Sequence, residues 1–305
     1  MTEANDAPNW GRLYTAMVTP MTEAGGIDVE QAQHLASALL KSGSDGVVVS
    51  GTTGESPTLT HEEERVLFRE LADVVHDAGG TLIAGTGSNS TATAVDASEQ
   101  AAKLDVDGLL QVVPYYNKPS QDGLYHHFKA VADAVPETPI MLYNVPGRTG
   151  LNMSAQTVVR LAEDCSNIVG VKEASGDLEQ IAEIIRTAPP GFRMWSGNDQ
   201  DNLALLAMGG HGTVSVISHL VGGQLKAMYD AWERGDTAEA GRIHVKLAPL
   251  VKAMFLIGNP APVKWALNDI GFNAGPLRAP LADPDEGIQA TIRSALEVAG
   301  GQDLI

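Results

Sequence analysis

The residue with the clearest chemical potential in this chain is Lys172. It follows the run Asn167-Ile168-Val169-Gly170-Val171, which is apolar enough for a strand buried on both faces. An ammonium drawn out of water loses hydration, so its pKa falls and the neutral amine is released as a nucleophile toward carbonyl carbon. Taken in isolation, a lysine at the end of a strand is more commonly solvated than reactive. The other eight of the nine lysines mostly sit in helix or loop contexts, where a solvated face is the better reading.

Three further segments carry groups that could serve such an amine. The first is Tyr143-Asn144-Val145-Pro146-Gly147-Arg148-Thr149-Gly150, which puts a phenol at a strand mouth and a guanidinium on a loop stiffened by Pro and Gly. The phenol could shuttle protons and the guanidinium could grip a carboxylate, although packing and a surface ion pair are the commoner uses of each. The second, Gly51-Thr52-Thr53-Gly54-Glu55-Ser56, has the hydroxyls and backbone N–H groups of a carboxylate cradle, and it also reads as an ordinary Gly-rich turn. No Lys follows its second Gly, so it is not a phosphate-binding P-loop. The third, Pro114-Tyr115-Tyr116-Asn117-Lys118-Pro119, sets paired aromatics on an exposed loop and suits a subunit contact as readily as a site.

Other patterns carry less. Gly85-Thr86-Gly87-Ser88-Asn89-Ser90 lacks the third Gly of a dinucleotide fingerprint. His126 and His127 are helix neighbours that point about 100° apart, and no metal-ligand spacing stands out, so neither a metal nor a cofactor is expected. Asn198-Asp199 reads as a loop shaping the site. Cys165, the sole cysteine, reads as a small buried apolar residue, and no intramolecular disulfide is possible.

The elements that must position these groups follow from apolar patterning. Short β-branched runs recur at Tyr14–Val18, Gly46–Val49, Thr81–Ala84, Gly108–Val113, Ile140–Leu142, Ile168–Val171, Arg193–Trp195 and Thr213–Val216. Amphipathic segments separate them; Leu67, Leu71, Val74 and Val75 fall on one helical face, and Thr60 with Glu63 matches a capping box. The alternation predicts a parallel sheet covered by helices, in the form of a (β/α)8 TIM barrel, with an open doubly wound sheet as the competitor. After about residue 218 the strand signal stops. Gln224–Glu233, Thr237–Leu256, Pro262–Ile270 and Glu286–Val298 read as helices. The expected organisation is a barrel over 1–220 and a C-terminal helical extension over 221–305, packed as one structural unit.

Composition narrows the partners. Lys and Arg number 20 against 38 Asp and Glu, a formal charge of −18 that repels nucleic acid and anionic lipid surfaces. The N-terminal stretch Met1–Asn9 is polar and acidic, without the basic and apolar regions of a signal peptide. The longest uncharged stretch, Asn202–Gln224, is too rich in Gly for a membrane span. A cytoplasmic protein is expected, with no nucleic-acid or membrane partner.

Taken together, the segments Gly51-Thr52-Thr53-Gly54-Glu55, Pro114-Tyr115-Tyr116-Asn117-Lys118-Pro119-Ser120, Tyr143-Asn144-Val145-Pro146-Gly147-Arg148-Thr149-Gly150, Val171-Lys172-Glu173-Ala174 and Gly209-Gly210-His211-Gly212 resemble, in order and spacing, the dihydrodipicolinate synthases. These are pyruvate-dependent class I aldolases, of which N-acetylneuraminate lyase is another branch. The resemblance runs from about Gly11 to Leu220, and more loosely to the C-terminus. It implies that Lys172 forms a Schiff base with pyruvate and that the resulting enamine attacks L-aspartate 4-semialdehyde. Tyr143, Thr52 and Tyr116 match the family's proton relay, with Tyr116 entering from a neighbouring subunit of a homotetramer, a dimer of dimers. Thr53, with backbone groups near Gly197 and Val214, matches the pyruvate pocket, and Arg148 matches the group that holds the second substrate's carboxylate. Thr52 stands where sialic acid lyases tend to carry Ser.

The resemblance also implies an effector site at Ser56, His61, Glu64, Asn89, Thr93 and Tyr115, where lysine binds in inhibited members. Thr93 stands where those members have a carboxylate, and Glu64 replaces a His. Weak or absent lysine inhibition is therefore expected.

Overall fold

The β-branched runs form strands because their side chains are apolar on both faces and need cover on both. In the computed structural model, which describes residues 8–304, the strands are β1 (Leu13–Ala16), β2 (Gly46–Val49), β3 (Thr81–Gly85), β4 (Gly108–Val112), β5 (Ile140–Asn144), β6 (Ile168–Glu173), β7 (Arg193–Ser196) and β8 (Gly212–Ser215). They follow one another in chain order around a closed barrel, and the pairings recorded between neighbours are parallel. Closure excludes the open sheet that patterning alone leaves in play. Each expected run is found within two residues at either end. The two strands that run two residues beyond their apolar pattern are β5 and β6, which carry Tyr143-Asn144 and Lys172-Glu173.

Helices join the strands in the order α1 (Val29–Lys41), α2 (His61–Asp77), α3 (Thr91–Ala101), α4 (Gln121–Ala134), the single turn α5 (Pro146–Thr149), α6 (Ala155–Asp164), α7 (Leu178–Thr187) and α8 (Asn202–Ala207). The start of α2 is fixed as expected, with Thr60 and Glu63 making both bonds of a capping box. Its buried face is Leu67, Phe68, Leu71, Ala72 and Val75. Val74 is only half-buried, because at 100° per residue it turns away from the Leu71–Val75 stripe. After β8 come α9 (Ser218–Glu233), α10 (Thr237–Met254), α11 (Ala261–Asp269) and α12 (Glu286–Ala299). Helix α9 begins at Ser218 rather than Gln224; a kink at Val221 and the pair Gly222-Gly223 interrupt its pattern.

By its own packing the described chain forms two compact units, one of residues 8–12 with Ile83–Val214, the other of Leu13–Leu82 with 215–304. Most of the polar Met1–Asn9 stretch, through Ala7, lies outside the described residues. Among the described residues no helix is long and apolar enough to cross a membrane.

Candidate active site

The first unit holds Lys172 in the ladder of β6, not beyond its end, in register with Tyr143 of β5 and Trp195 of β7. A register shift between Ile140 and Met141 sets this alignment: Ile140 pairs Ile168 but Met141 pairs Gly170, so Val169 is an extra residue. From there alternation puts Gly170 and Lys172 on one face, Val171 and Glu173 on the other. Gly170 has to be glycine, because a Cβ there would lie 2.5 Å from the Arg193 carbonyl oxygen and 2.6 Å from the Trp195 ring. Lys172 is 6 % exposed, and its Nζ stands 4.1 Å from the centroid of the Tyr143 ring. Burial lowers the Lys172 pKa to about 7; the charge of Arg148 pushes the same way and that of Asp199 opposes it. An amine held near neutrality is present as free base in useful amount at physiological pH, which is what attack on a carbonyl needs.

Gly197, just past β7, borders this amine. A Cβ at that position would come 2.7 Å from Ala174 Cβ and 3.2 Å from Lys172 Cε, so the missing side chain leaves room along the lysine stem. Val214 is buried on β8, one residue after Thr213, which pairs with Ser196. Gly197 thus borders Lys172, while Val214 is located only by strand register.

Arg148 lies in the helical turn α5 rather than on an open loop, because Val145 carbonyl oxygen accepts from the Arg148 and Thr149 N–H groups. Its side chain is exposed. Tyr116 is 89 % exposed, the most open large apolar side chain described, and sits at φ 75° in the left-handed region. Such a conformation costs on the order of 1–3 kcal/mol for a non-glycine residue and persists only where neighbours hold it. Here Tyr116 N–H donates to Thr149 O at 3.3 Å, Asn89 Nδ2 to Tyr115 O at 3.1 Å, and Asn117 Nδ2 to Asn89 O at 2.8 Å.

The second unit carries the Gly51–Ser56 segment. Ser50, just before it, and Glu55, within it, both adopt left-handed φ values, 54° and 60°. The turn is closed by Glu55 N–H on Thr52 O and by Thr19 Oγ1 on Gly54 O at 2.6 Å. Thr53 is buried and its Oγ1 accepts from Asn259 Nδ2 at 2.8 Å, which leaves its hydroxyl proton to donate; Thr52 is half-buried. Beneath the turn lies a buried ion pair: Lys264 Nζ stands 2.6 Å from Glu55 Oε1, with both side chains at or below 1 % exposure. The reading of the remaining lysines as solvated is wrong for Lys264. It lies on α11 within Pro262-Val263-Lys264-Trp265-Ala266, and that apolar setting was the available signal.

The six positions of the expected effector site fall in both units. In the second, His61 Nδ1 meets Glu64 Oε2 at 3.0 Å within one helical turn, burial lifts the Glu64 carboxyl above its usual range, and Ser56 opens a 3-10 turn. In the first, Asn89 holds the Tyr115 carbonyl, and Thr93 Oγ1 donates to Ser90 Oγ at 3.1 Å. Cys165 is buried, and burial raises its thiol pKa, as suits an inert residue. Three residues of the first unit have surroundings that their sequence context does not suggest: Asp199, buried and acting by charge on Lys172, and the buried pair Asn144 and Glu173. No sequence pattern marks which strand-end carboxylates will be buried.

The chain is similar to known proteins over nearly its whole length. A model of the dihydrodipicolinate synthetase family matches residues 9–299. A 4-hydroxy-tetrahydrodipicolinate synthase of Dehalococcoides mccartyi is 53 % identical over 287 residues, 94 % of this chain and 96 % of that one. One from Moorella thermoacetica is 52 % identical, covering 95 % of this chain and 99 % of its own. Among solved structures, a DHDPS from Cyanidioschyzon merolae with lysine bound superposes with a TM-score of 0.94 at 48 % identity, covering 95 % and 98 % of the two chains. With a buried lysine on β6, a tyrosine in register on β5 and a likeness that spans the barrel and the helices after it, the chain belongs to the dihydrodipicolinate synthetase family.

Proposed function

We propose that this chain condenses pyruvate with L-aspartate 4-semialdehyde to 4-hydroxy-tetrahydrodipicolinate, through an imine on Lys172. The observation that carries the reading is the buried Lys172 amine with its pKa near 7, 4.1 Å from the Tyr143 ring. The amine adds to the keto carbon of pyruvate, and loss of water leaves a protonated imine. That cation withdraws electrons from the neighbouring methyl carbon, which gives up a proton and becomes an enamine nucleophile. The enamine attacks the aldehyde carbon, leaving a hydroxyl there; the amino group of the second substrate then adds to the imine carbon and displaces the Lys172 amine, which closes the ring with the hydroxyl kept and frees the enzyme. The imine is itself the electron sink, so the sequence of steps calls for no cofactor. Tyr143, Thr52 and Tyr116 are assigned the proton transfers, and Thr53, Gly197 and Val214 the pyruvate pocket. The test is a coupled condensation assay with both substrates, run beside an aldol-cleavage assay with sialic acid. Turnover in the second and not the first overturns the reading in favour of an N-acetylneuraminate lyase type of enzyme.

In this reading Arg148 binds the carboxylate of the aldehyde substrate, supported by its exposure on α5 beside a site whose amine feels its charge. Arg148→Ala is expected to raise the KM for aspartate semialdehyde by about tenfold or more, the worth of one charge-assisted bond, with the pyruvate KM little changed. A rise in the pyruvate KM alone reverses the two subsites.

The proposal extends to assembly and control. The enzyme is cytoplasmic and acts as a homotetramer with Tyr116 crossing an interface, consistent with an aromatic side chain held outward at a left-handed φ. Its barrel spans 1–220 and its C-terminal helical extension 221–305. The Cyanidioschyzon merolae relative was solved with lysine bound, but here Thr93 offers no charge and Glu64 is already engaged by His61. Loss of a desolvated charge pair weakens binding by about 2–5 kcal/mol, so lysine inhibition is expected to be weak. A lysine titration of the condensation assay that gives half-inhibition well below millimolar concentration contradicts this.

A further inference from the structure

We propose that Glu173 and Asn144 are positioning residues for the imine-forming site: they lock the ends of β5 and β6 in one register and so set where Lys172, Tyr143 and Arg148 stand. The proposal rests on the reading of Lys172 as the imine-forming amine.

Tyr143 pairs with Lys172 and Asn144 with Glu173 as consecutive steps of one parallel ladder. Alternation therefore turns the second pair to the opposite face of the sheet from the first, away from the reacting atoms. Both residues are almost fully buried, at 0 % and 1 % exposure. Asn144 Nδ2 uses one hydrogen on Asn152 Oδ1 at 2.7 Å and shares the other between Glu173 Oε1 and Oε2 at 3.0 and 3.1 Å. Glu173 Oε1 also accepts from Ser175 N–H at 2.7 Å and Oε2 from Gln180 Nε2 at 3.2 Å. The ring continues through Asn152 Nδ2 to Gln180 Oε1 at 2.7 Å and Met153 N–H to Asn144 Oδ1 at 3.0 Å.

Every bond drawn to Glu173 comes from a donor, so the carboxylate form is the one the ring fits; a proton there would face N–H groups. Burial pushes the Glu173 carboxyl above its usual range, and the bonds from Asn144, Ser175 and Gln180 oppose that. An apolar pair would hold two strands together at least as well, so burying an anion here is explained by direction rather than by strength. The ring also ties β6 to Asn152 and Met153, the far anchor of the segment that begins with α5 and Arg148. Glu173 is not among the groups that shift the Lys172 pKa, which are burial, Arg148 and Asp199. Its influence is therefore one of placement, and a displacement of about 1 Å at a reacting pair is enough to slow a reaction on the order of 10²-fold.

The test is the rate at which pyruvate and borohydride add mass to Lys172, measured per folded molecule across a pH series. Glu173→Gln is expected to slow trapping by about tenfold or more while leaving its pH midpoint where the wild type has it. Adding Asn144→Asp to Glu173→Gln returns one donor and one acceptor to the pair and is expected to trap faster than Glu173→Gln alone. Should Glu173→Gln not fold, Gln180→Met, on the half-buried face of α7, is read by the same assay, with a slowing of about threefold expected. Trapping by a folded Glu173→Gln, or failing that by Gln180→Met, at the wild-type rate overturns the proposal, and so does a double variant no faster than the single. If the wild type itself traps no pyruvate on Lys172, the reading of the function falls first and this proposal with it.

Discussion

Lys172→Ala is expected to lose condensation activity by on the order of 10⁴-fold or more and to give no borohydride-trapped pyruvate adduct, with the fold retained. The reason is chemical: alanine has no amine, and no other described group stands in register with Tyr143 to form the imine. Lys172→Arg and Lys172→Met should be equally inactive, since a guanidinium and a thioether cannot form it either. The same amine predicts a pH profile. With its pKa held at about 7 by burial and Arg148, the free-base fraction in the wild type grows as pH rises through 7. Trapping by the wild type should climb across that window and level off above it, where an ordinary lysine would still be gaining. Near wild-type turnover in Lys172→Ala would sink the mechanism; a trapping midpoint above pH 9 would show that the amine is solvated.

The second large effect is on stability. Lys264 Nζ serves Glu55 Oε1 at 2.6 Å and Thr19 O at 2.8 Å, and Glu55 Oε2 accepts the Arg278 N–H at 2.9 Å. Burial pulls the Lys264 pKa below the usual lysine range against the pull of Glu55. Lys264→Met leaves Glu55 charged and buried without its cation, a change that costs about 3–5 kcal/mol. Denaturant unfolding of the protein should show it, and Glu55→Gln combined with Lys264→Met should recover much of the loss, because the orphaned charge is gone. A single variant within 1 kcal/mol of wild type would mean that the pair contributes nothing. The Arg278 side chain adds to the same anchorage, donating to Gly25 O and Thr58 O and pairing with Glu63, whose pKa it holds at about 2.

The eight strands were legible because parallel strands buried on both faces must be apolar throughout, and each run announces itself without reference to its neighbours; their closure into a barrel is not written in that pattern. The ends of β5 and β6 were not legible, since Asn144 and Glu173 are polar, and the bonds that satisfy them in the interior, to each other and to Gln180 among others, leave no apolar signal. Lys172 could be singled out from its apolar approach alone. Lys264 has an apolar setting as well, but its partner Glu55 lies 209 residues earlier in the chain, and no local pattern records a pairing at that distance. The start of α9 was hidden for the opposite reason, a local one, since Gly222-Gly223 reads as a break where the helix only kinks. Motif strings brought Thr52, Thr53, Tyr143 and Arg148 to notice as letters in order. What they could not convey is that Arg148 belongs to a helical turn and that Tyr116 is held at a left-handed φ by Asn89 and Asn117.

The burial of Lys172 bears on more than reactivity. Its folded pKa of about 7 lies below the ordinary lysine value of 10.5, so between those limits the unfolded chain holds a proton that the folded chain lacks. Stability contributed at this position therefore rises with pH across that window, and below about pH 7 the fold carries the whole burden of the buried ammonium. A neutral apolar residue at position 172 would lift that burden. A laboratory selection for heat resistance alone would thus be drawn toward exchanging this lysine, and would enrich sturdier proteins with no chemistry left in them.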